Sequence, residues 1–332
     1  MTDAIKRSRI DRRLSSGWER WEGDGEVSVA VRLGQALPQG RLYTFLPMGS
    51  EACGPFPAFV NAPFFARLDR RSLCESLPLN SFLLNEVARL CADAITSACS
   101  GELDLPDEVL LDLTCWTAQA LPRLKAALAN HDVALEELPI LPALGSAGRV
   151  ELNAGWLWHL SGTVFIAEAL AAAGVDELIR PDLGPERTAR IKDLAAGLHI
   201  PIVPRQGELA EFAELLAEAF VDRDVGLAAW AALYDDLSAA VLDGKALSGR
   251  NVLIGEDGDL LVAGGDSGSR TVYFGRVHGE GTTGANPLPA AVRDRLAFMP
   301  ADVPWLTGDG RRRPAACGSK RTASSASTAP TP

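Results

Sequence analysis

No uninterrupted apolar run in these 332 residues approaches the ~20 that span a bilayer. The stretch Met1-Thr-Asp-Ala-Ile-Lys-Arg-Ser-Arg9 also lacks the apolar segment of a secretory signal. The expectation is a cytoplasmic protein with no membrane partner. Metal-ligand spacing is missing too. The cysteines (Cys53, Cys74, Cys91, Cys99, Cys115 and Cys317) include no Cys-x-x-Cys pair, and His131, His159, His199 and His278 are scattered. A reduced compartment without structural zinc fits. Positive charge is in deficit: Lys and Arg total 32 against 43 Asp and Glu, a net charge of -11. That balance argues against nucleic acid as the main partner, because phosphate contacts need clustered Lys and Arg.

Catalytic signatures are equally sparse. There is no Gly-rich loop ending in Gly-Lys-Ser/Thr, so a Walker-type phosphate cradle is absent. Gly145-Ser-Ala-Gly148 reads as a loop rather than a nucleophile elbow. Asp235-Asp236 and Glu136-Glu137 are adjacent in sequence, point apart on a helix, and read as solvated charges. His159 lies beside Trp156 and Trp158, where it either lines a pocket or packs in an aromatic cluster. Nothing assembles a nucleophile, a base and an oxyanion donor. No internal repeat, heptad or solenoid period is visible.

What is present is enough apolar material for sizeable cores, at 47% hydrophobic residues, and a length that suggests about two domains. Residues 1–26 form a charged N-terminal arm. Val27–Leu33 and Leu42–Leu46 read as strands joined through Pro38-Gln39-Gly40, and a hairpin is expected. Phe56–Phe65 is a further extended run. Pro57 and Pro63 cannot donate to a ladder, which predicts an edge or irregular strand. Phe82, Leu83, Val87, Leu90, Ala94 and Ile95 recur at helical spacing and predict a helix over 79–99, stopped at Ser100-Gly101. Pro106-Asp-Glu108 opens another, running to about His131 with a kink at Pro122. Leu138–Pro142 is a short apolar run broken by prolines.

The second half is Ala- and Leu-rich. Helices are expected near 162–173, 186–197, 208–220 and 227–241. A short strand is expected at Ile200–Pro204, and three more at 251–254, 259–262 and 271–274. Glu256-Asp-Gly258 supplies a turn, and Pro289 opens a last helix ending near Met299. The fold class expected is α+β. A transducer-like small sheet backed by helices occupies 27–145, and a mainly helical domain with a small β element occupies 146–306. Residues 307–332, basic and then rich in Ser, Thr, Ala and Pro, are expected to be disordered. The abrupt change after Trp305 suggests a reading frame ended by a frameshift or premature stop.

The richest stretch is Gly40-Arg-Leu-Tyr-Thr-Phe-Leu-Pro47, followed by Gly54-Pro-Phe-Pro-Ala-Phe-Val-Asn61, Phe64, Leu68-Asp-Arg-Arg71, Asn80 and Leu83-Leu84. Guanidinium forks such as Arg70 and Arg71 suit phosphate and carboxylate alike. A salt bridge holding strand to helix, or a solvated turn, is the plainer reading of Asp69-Arg-Arg71. As a set these residues resemble the segment that follows the nucleotide pocket in sacsin and large bacterial sacsin-like proteins. Trp230-Ala-Ala-Leu-Tyr-Asp-Asp-Leu237 and Leu247–Leu260 look like its continuation.

That family belongs to the GHKL superfamily of gyrase, the heat-shock chaperone, histidine kinase and MutL. The resemblance implies a truncated or split ATP-binding protein whose ATP and Mg²⁺ are supplied by a partner nucleotide-binding domain. It also implies chaperone-like or defence-related remodelling, with Arg70 or Arg71 reaching the terminal phosphate as electrostatic stabiliser. The chain alone is expected to bind no cofactor and not to catalyse. Glu86-Val-Ala-Arg-Leu-Cys-Ala-Asp93-Ala94 is similar to the superfamily's first ATP motif. Leu90, however, stands where the magnesium-binding Asn belongs, and no Asp-x-Gly-x-Gly follows. The alternative expectation is a protein–protein interaction module independent of ATP.

Overall fold

The longest helix begins where the sequence places it. Pro78 occupies its first turn, where a fixed φ helps and a missing N–H costs nothing. In the computed structural model this helix, α2 (Pro78–Cys99), buries Leu79, Leu83, Val87, Cys91 and Ile95 along one face. Helix α1 (Thr2–Ile10) packs against it and buries Ala4 and Ile5. Ser8 caps α2 from outside: its buried hydroxyl donates to Ala4 O and accepts from Leu79 N at 2.9 Å. At the far end Gly101 takes φ +80°, a left-handed stop open to glycine without strain.

The structure describes residues 1–10, 14, 25–67, 71–74, 77–144, 148–157, 177–239, 246–255, 258–263, 272–274 and 297–299. The fold is α+β. The chain divides into two compact units, Met1–Leu157 with Glu177–Ile202, and Trp158–Asp176 with Val203–Pro332. The helix expected at 162–173 and the tail at 307–332 lie outside the described residues.

The first unit carries a four-stranded sheet of β1 (Ser28–Ala30), β2 (Arg41–Thr44), β3 (Leu46–Pro47) and β4 (Phe59–Asn61), in the order β1-β4-β2-β3. The expected hairpin between the first two strands does not form. β4 inserts between them, antiparallel to β1 and parallel to β2. The run expected as an edge or irregular strand is central in position, and only its residues 59–61 pair. It tolerates its prolines because the paired segment is three residues long and Pro57 and Pro63 flank it, so no ladder amide is lost.

The expected kinked helix over 107–131 is two helices, α3 (Asp107–Thr114) and α4 (Leu121–Leu128). Thr117 N donates to Pro55 O at 2.8 Å and Trp116 Nε1 to Leu113 O at 2.9 Å. These bonds pull residues 115–120 out of the helical path, and Pro122 falls in the first turn of α4 instead of bending a continuous helix. Pro139–Pro142 forms β5, paired with β6 (Arg149–Glu151), and α5 (Pro185–Gly197) completes the unit. No strand forms at 200–204.

In the second unit α6 (Gln206–Asp222) and α7 (Leu227–Ala239) bury Leu209, Phe212, Leu216, Phe220, Trp230 and Leu233. Phe220 meets Trp230 edge to face at 5.2 Å. The hairpin β7 (Asn251–Ile254) and β8 (Leu260–Val262) turns through Gly258 at φ +87°. Tyr234 Oη ties α7 to that hairpin, accepting from Ile254 N at 3.0 Å and donating to Val252 O at 3.2 Å. β9 (Val272–Phe274) pairs in parallel with β10 (Ala297–Met299), so the last three residues of the expected C-terminal helix are strand. Among the described residues no helix is long and apolar enough to cross a membrane.

Candidate functional site

The Gly40–Arg71 block folds as two braced loops around the sheet. Gly40 and Gly54 bring two backbones together, with Gly54 N donating to Gly40 O at 2.8 Å. A Cβ on Gly40 would stand 1.9 Å from Phe56 O, so only glycine fits there. Between β2 and β3 the chain reverses through Phe45, which takes φ +61°, a conformation costly for a bulky residue. Asn61 Oδ1 holds it there by accepting from Phe45 N at 3.1 Å. The result presents Phe45 and Leu46 to solvent, 78% and 60% exposed.

Asn80 braces the second loop. It is fully buried on α2. Its Oδ1 accepts from Phe65 N at 2.8 Å, and its Nδ2 donates to Phe65 O at 2.8 Å and Cys74 O at 2.9 Å. One side chain thus clamps both ends of the segment that holds the two candidate arginines. Inside it, Arg67 N donates to Ser72 O at 3.2 Å and Ala66 bridges Leu73. Arg71 is exposed on this turn. Arg70 lies outside the described residues.

In the helix segment similar to an ATP motif, the charged positions Glu86, Arg89 and Asp93 lie toward solvent, while Val87, Ala88, Cys91 and Ala92 are core. Arg89 bridges Glu86 at 3.1 Å and Asp93 at 3.2 Å, and His131 Nε2 meets Asp93 at 2.9 Å. Leu90 is 37% exposed on the same face. Among the described residues no group of three or more His, Cys, Asp or Glu could hold a metal ion. Glu136 pairs with Lys125 at 2.6 Å. Burial alone would raise its carboxyl, but the Lys125 hydrogen bond, a backbone bond and the lysine charge together bring it below its ordinary value. The reading of Asp235-Asp236 as solvated needs correction: Asp236 is 4% exposed, turned inward by its place on the buried side of α7. His159 and Trp158 lie outside the described residues, as do residues 145–147 of the Gly145–Gly148 loop.

The described chemistry that sequence reading misses gathers in the first unit, around a cleft of about 1200 Å³. One wall comes from β2, β4 and the Gly40/Gly54 crossing, the other from residues 115–121 and α5. Behind it, Asp112 on α3 receives a two-pronged contact from Arg187, with Nε at 3.2 Å and Nη2 at 3.0 Å. The side chains are 2% and 7% exposed. Arg190, one turn on, places Nη1 3.6 Å from Asp112 Oδ1 and donates through Nη2 to Leu37 O. Burial pushes the Asp112 carboxyl above its ordinary value against the pull of both arginines, and Glu108 adds to that push. Cys115, on the cleft floor, is driven up to about 12, by burial first and then by the Asp112 charge. It is inert as a nucleophile near neutrality. Cys53 is exposed on the opposite wall, its sulfur 2.6 Å from Gln39 Nε2.

Asp112 and Arg187 are 75 positions apart, so no local spacing announces their pairing. The available signal was weaker: Arg187 and Arg190 stand three residues apart on one helix face, an arrangement that invites a shared acid. Comparison of the chain with protein-family models, curated proteins and solved structures finds no match.

Proposed function

We propose that this chain is the coupling part of a sacsin-like ATPase, working in the cytoplasm with a nucleotide-binding domain on a partner. It transmits that domain's ATP state to chaperone-like or defence-related remodelling. The observation that carries the reading is the Asn80 clamp. A buried amide with three hydrogen bonds is an exacting way to hold a loop, and here it fixes the base of the turn bearing Arg71. A guanidinium held on a fixed base suits charge stabilisation on a transferring phosphoryl group. Arg70, its neighbour in sequence, shares the candidacy.

The test begins with the DNA upstream of the gene, searched for a frame carrying Glu-x-x-x-Asn-x-x-Asp-Ala and Asp-x-Gly-x-Gly. Its product is then mixed with the full chain and ATP turnover followed. Arg70→Ala or Arg71→Ala is expected to slow the pair by about 10³-fold, the lower range for an arginine finger. Mg-ATP turnover by the chain alone, abolished by Asp93→Ala, would show that the site lies on α2 and would sink this reading.

A second reading, an interaction module independent of ATP, is favoured by the exposed Phe45 and Leu46 at the tip of the sheet. Under it, Phe45→Asp abolishes partner binding while the arginine substitutions leave any partner's ATPase rate unchanged.

A further inference from the structure

The cleft of the first unit collects positive charge in a chain that is acidic overall. Arg32, Arg41 and Arg190 line it, with Asp193 the opposing acid, in a protein of net charge -11. Arg32 and Arg41 are exposed, and among the described residues neither has an ion-pair partner. Arg190 is held by Leu37 O, and its buried Nη1 has no hydrogen-bond acceptor. Arg190 already has the Asp112 carboxylate 3.6 Å away, so Arg32 and Arg41 are the guanidiniums left to meet an anion. Arginine is also the side chain best matched to planar oxyanions, since its fork donates in parallel.

The remaining lining is flat and apolar. Tyr43 and Phe59 stand edge to face at 5.9 Å on the sheet wall. Across from them Phe56 stacks on Trp116 at 4.8 Å. Between the two, buried Gly40 and Gly54 pack backbone against backbone and fix the floor of the sheet wall. A volume of about 1200 Å³ exceeds what a single inorganic ion fills.

We infer that this cleft binds a small organic anion, an aromatic or similarly flat body bearing a carboxylate or phosphate. The acidic group meets the arginines and the flat body lies against the Tyr43 and Phe59 rings. Exposed Cys53 on the same wall then reports occupancy, because a seated ligand shields its sulfur from alkylation.

The full chain is titrated with 2-naphthoate, 2-naphthyl phosphate and the neutral 2-naphthamide by calorimetry. Iodoacetamide labelling of Cys53 is followed in parallel by peptide mass spectrometry. At saturation either acid slows Cys53 labelling roughly tenfold, and the amide binds at least about tenfold more weakly. A preference between the two acids identifies the head group. Arg41→Gln and Arg32→Gln each weaken the acids roughly tenfold and leave the melting temperature in place, because both side chains are exposed. Arg190→Gln disturbs the Asp112 contacts, so the two exposed arginines carry the decision. Acids that leave Cys53 labelling unchanged, an amide that binds as tightly as the acids, or arginine variants that bind as the parent does would overturn the inference. None of these readouts involves ATP, so this site and the coupling role stand or fall separately.

Discussion

The two units hold themselves together by different means. In the first, short strands and broken helices are fastened by polar side chains brought from far along the chain: Arg187 to Asp112, Asn80 to residues 65 and 74, Asn61 to Phe45. In the second, two Ala- and Leu-rich helices pack on a hairpin, and the ties between them include the Tyr234 hydroxyl and Glu214, which accepts from Asn251 N and Arg250. Regular helices satisfy their own backbone groups, so they need few outside donors. Irregular chain does not, and each buried loop in the first unit needs a named partner. The loops that carry the candidate arginines and the cleft lie in the unit that is built this way.

The sharpest break in that contrast is Asp112→Ala. It leaves the buried Arg187 guanidinium with only the longer Glu108 contact at 3.8 Å, which costs up to about 3–5 kcal/mol. Denaturant unfolding gives the size, and hydrogen exchange shows the loss in α3 and α5. Replacing both partners, Asp112→Leu with Arg187→Met, is expected to restore most of it. A single substitution costing under ~1 kcal/mol would mean the pair is solvated.

Next comes Asn80→Ala. Three hydrogen bonds vanish at a fully buried position, for an expected loss of about 2–3 kcal/mol. Amides over 65–74 lose exchange protection while the middle of α2 keeps it. Uniform loss along α2 would instead make Asn80 an ordinary core residue.

How much of this was legible follows the same division. α2, α5, α6 and α7 show in the sequence because each repeats apolar residues at helical spacing, and such a pattern needs no knowledge of distant chain. The place of β4 between β1 and β2 does not show. Sequence neighbours favour a hairpin, and only the three-dimensional crossing at Gly40 and Gly54 decides otherwise. The break between α3 and α4 is hidden for a similar reason, since the bond that ends helicity runs from Thr117 to Pro55. Gly40, Asn61, Asn80 and Arg71 stand in the stretch that the sequence singles out, and Arg70, named with them, lies outside the described residues. The sequence is silent on the cleft, whose arginines come from residues 32, 41 and 190.

In the second unit Tyr234→Phe asks how much one hydroxyl matters to a helical scaffold. Ile254 N loses its acceptor in a buried setting, so the cost is about 1–2 kcal/mol. Exchange quickens in β7 and leaves α6 as it was. A cost as large as that of Asp112→Ala would erase the distinction between the units.

The smallest effect contrasts a surface pair with the buried one inside the first unit. Glu136 titrates below its ordinary 4.5 because Lys125 donates to it. A carboxyl lowered in the folded state stabilises fully above its unfolded value, and that contribution fades as pH falls through the lowered folded value. Both side chains are partly exposed, so solvent screens the pair and its worth is about 0.5 kcal/mol or less. Glu136→Gln should therefore lower stability by that amount at pH 7, with the gap to the parent closing in acid and shrinking in high salt. A gap that persists unchanged under acid would assign the loss to packing of the side chain rather than to its charge.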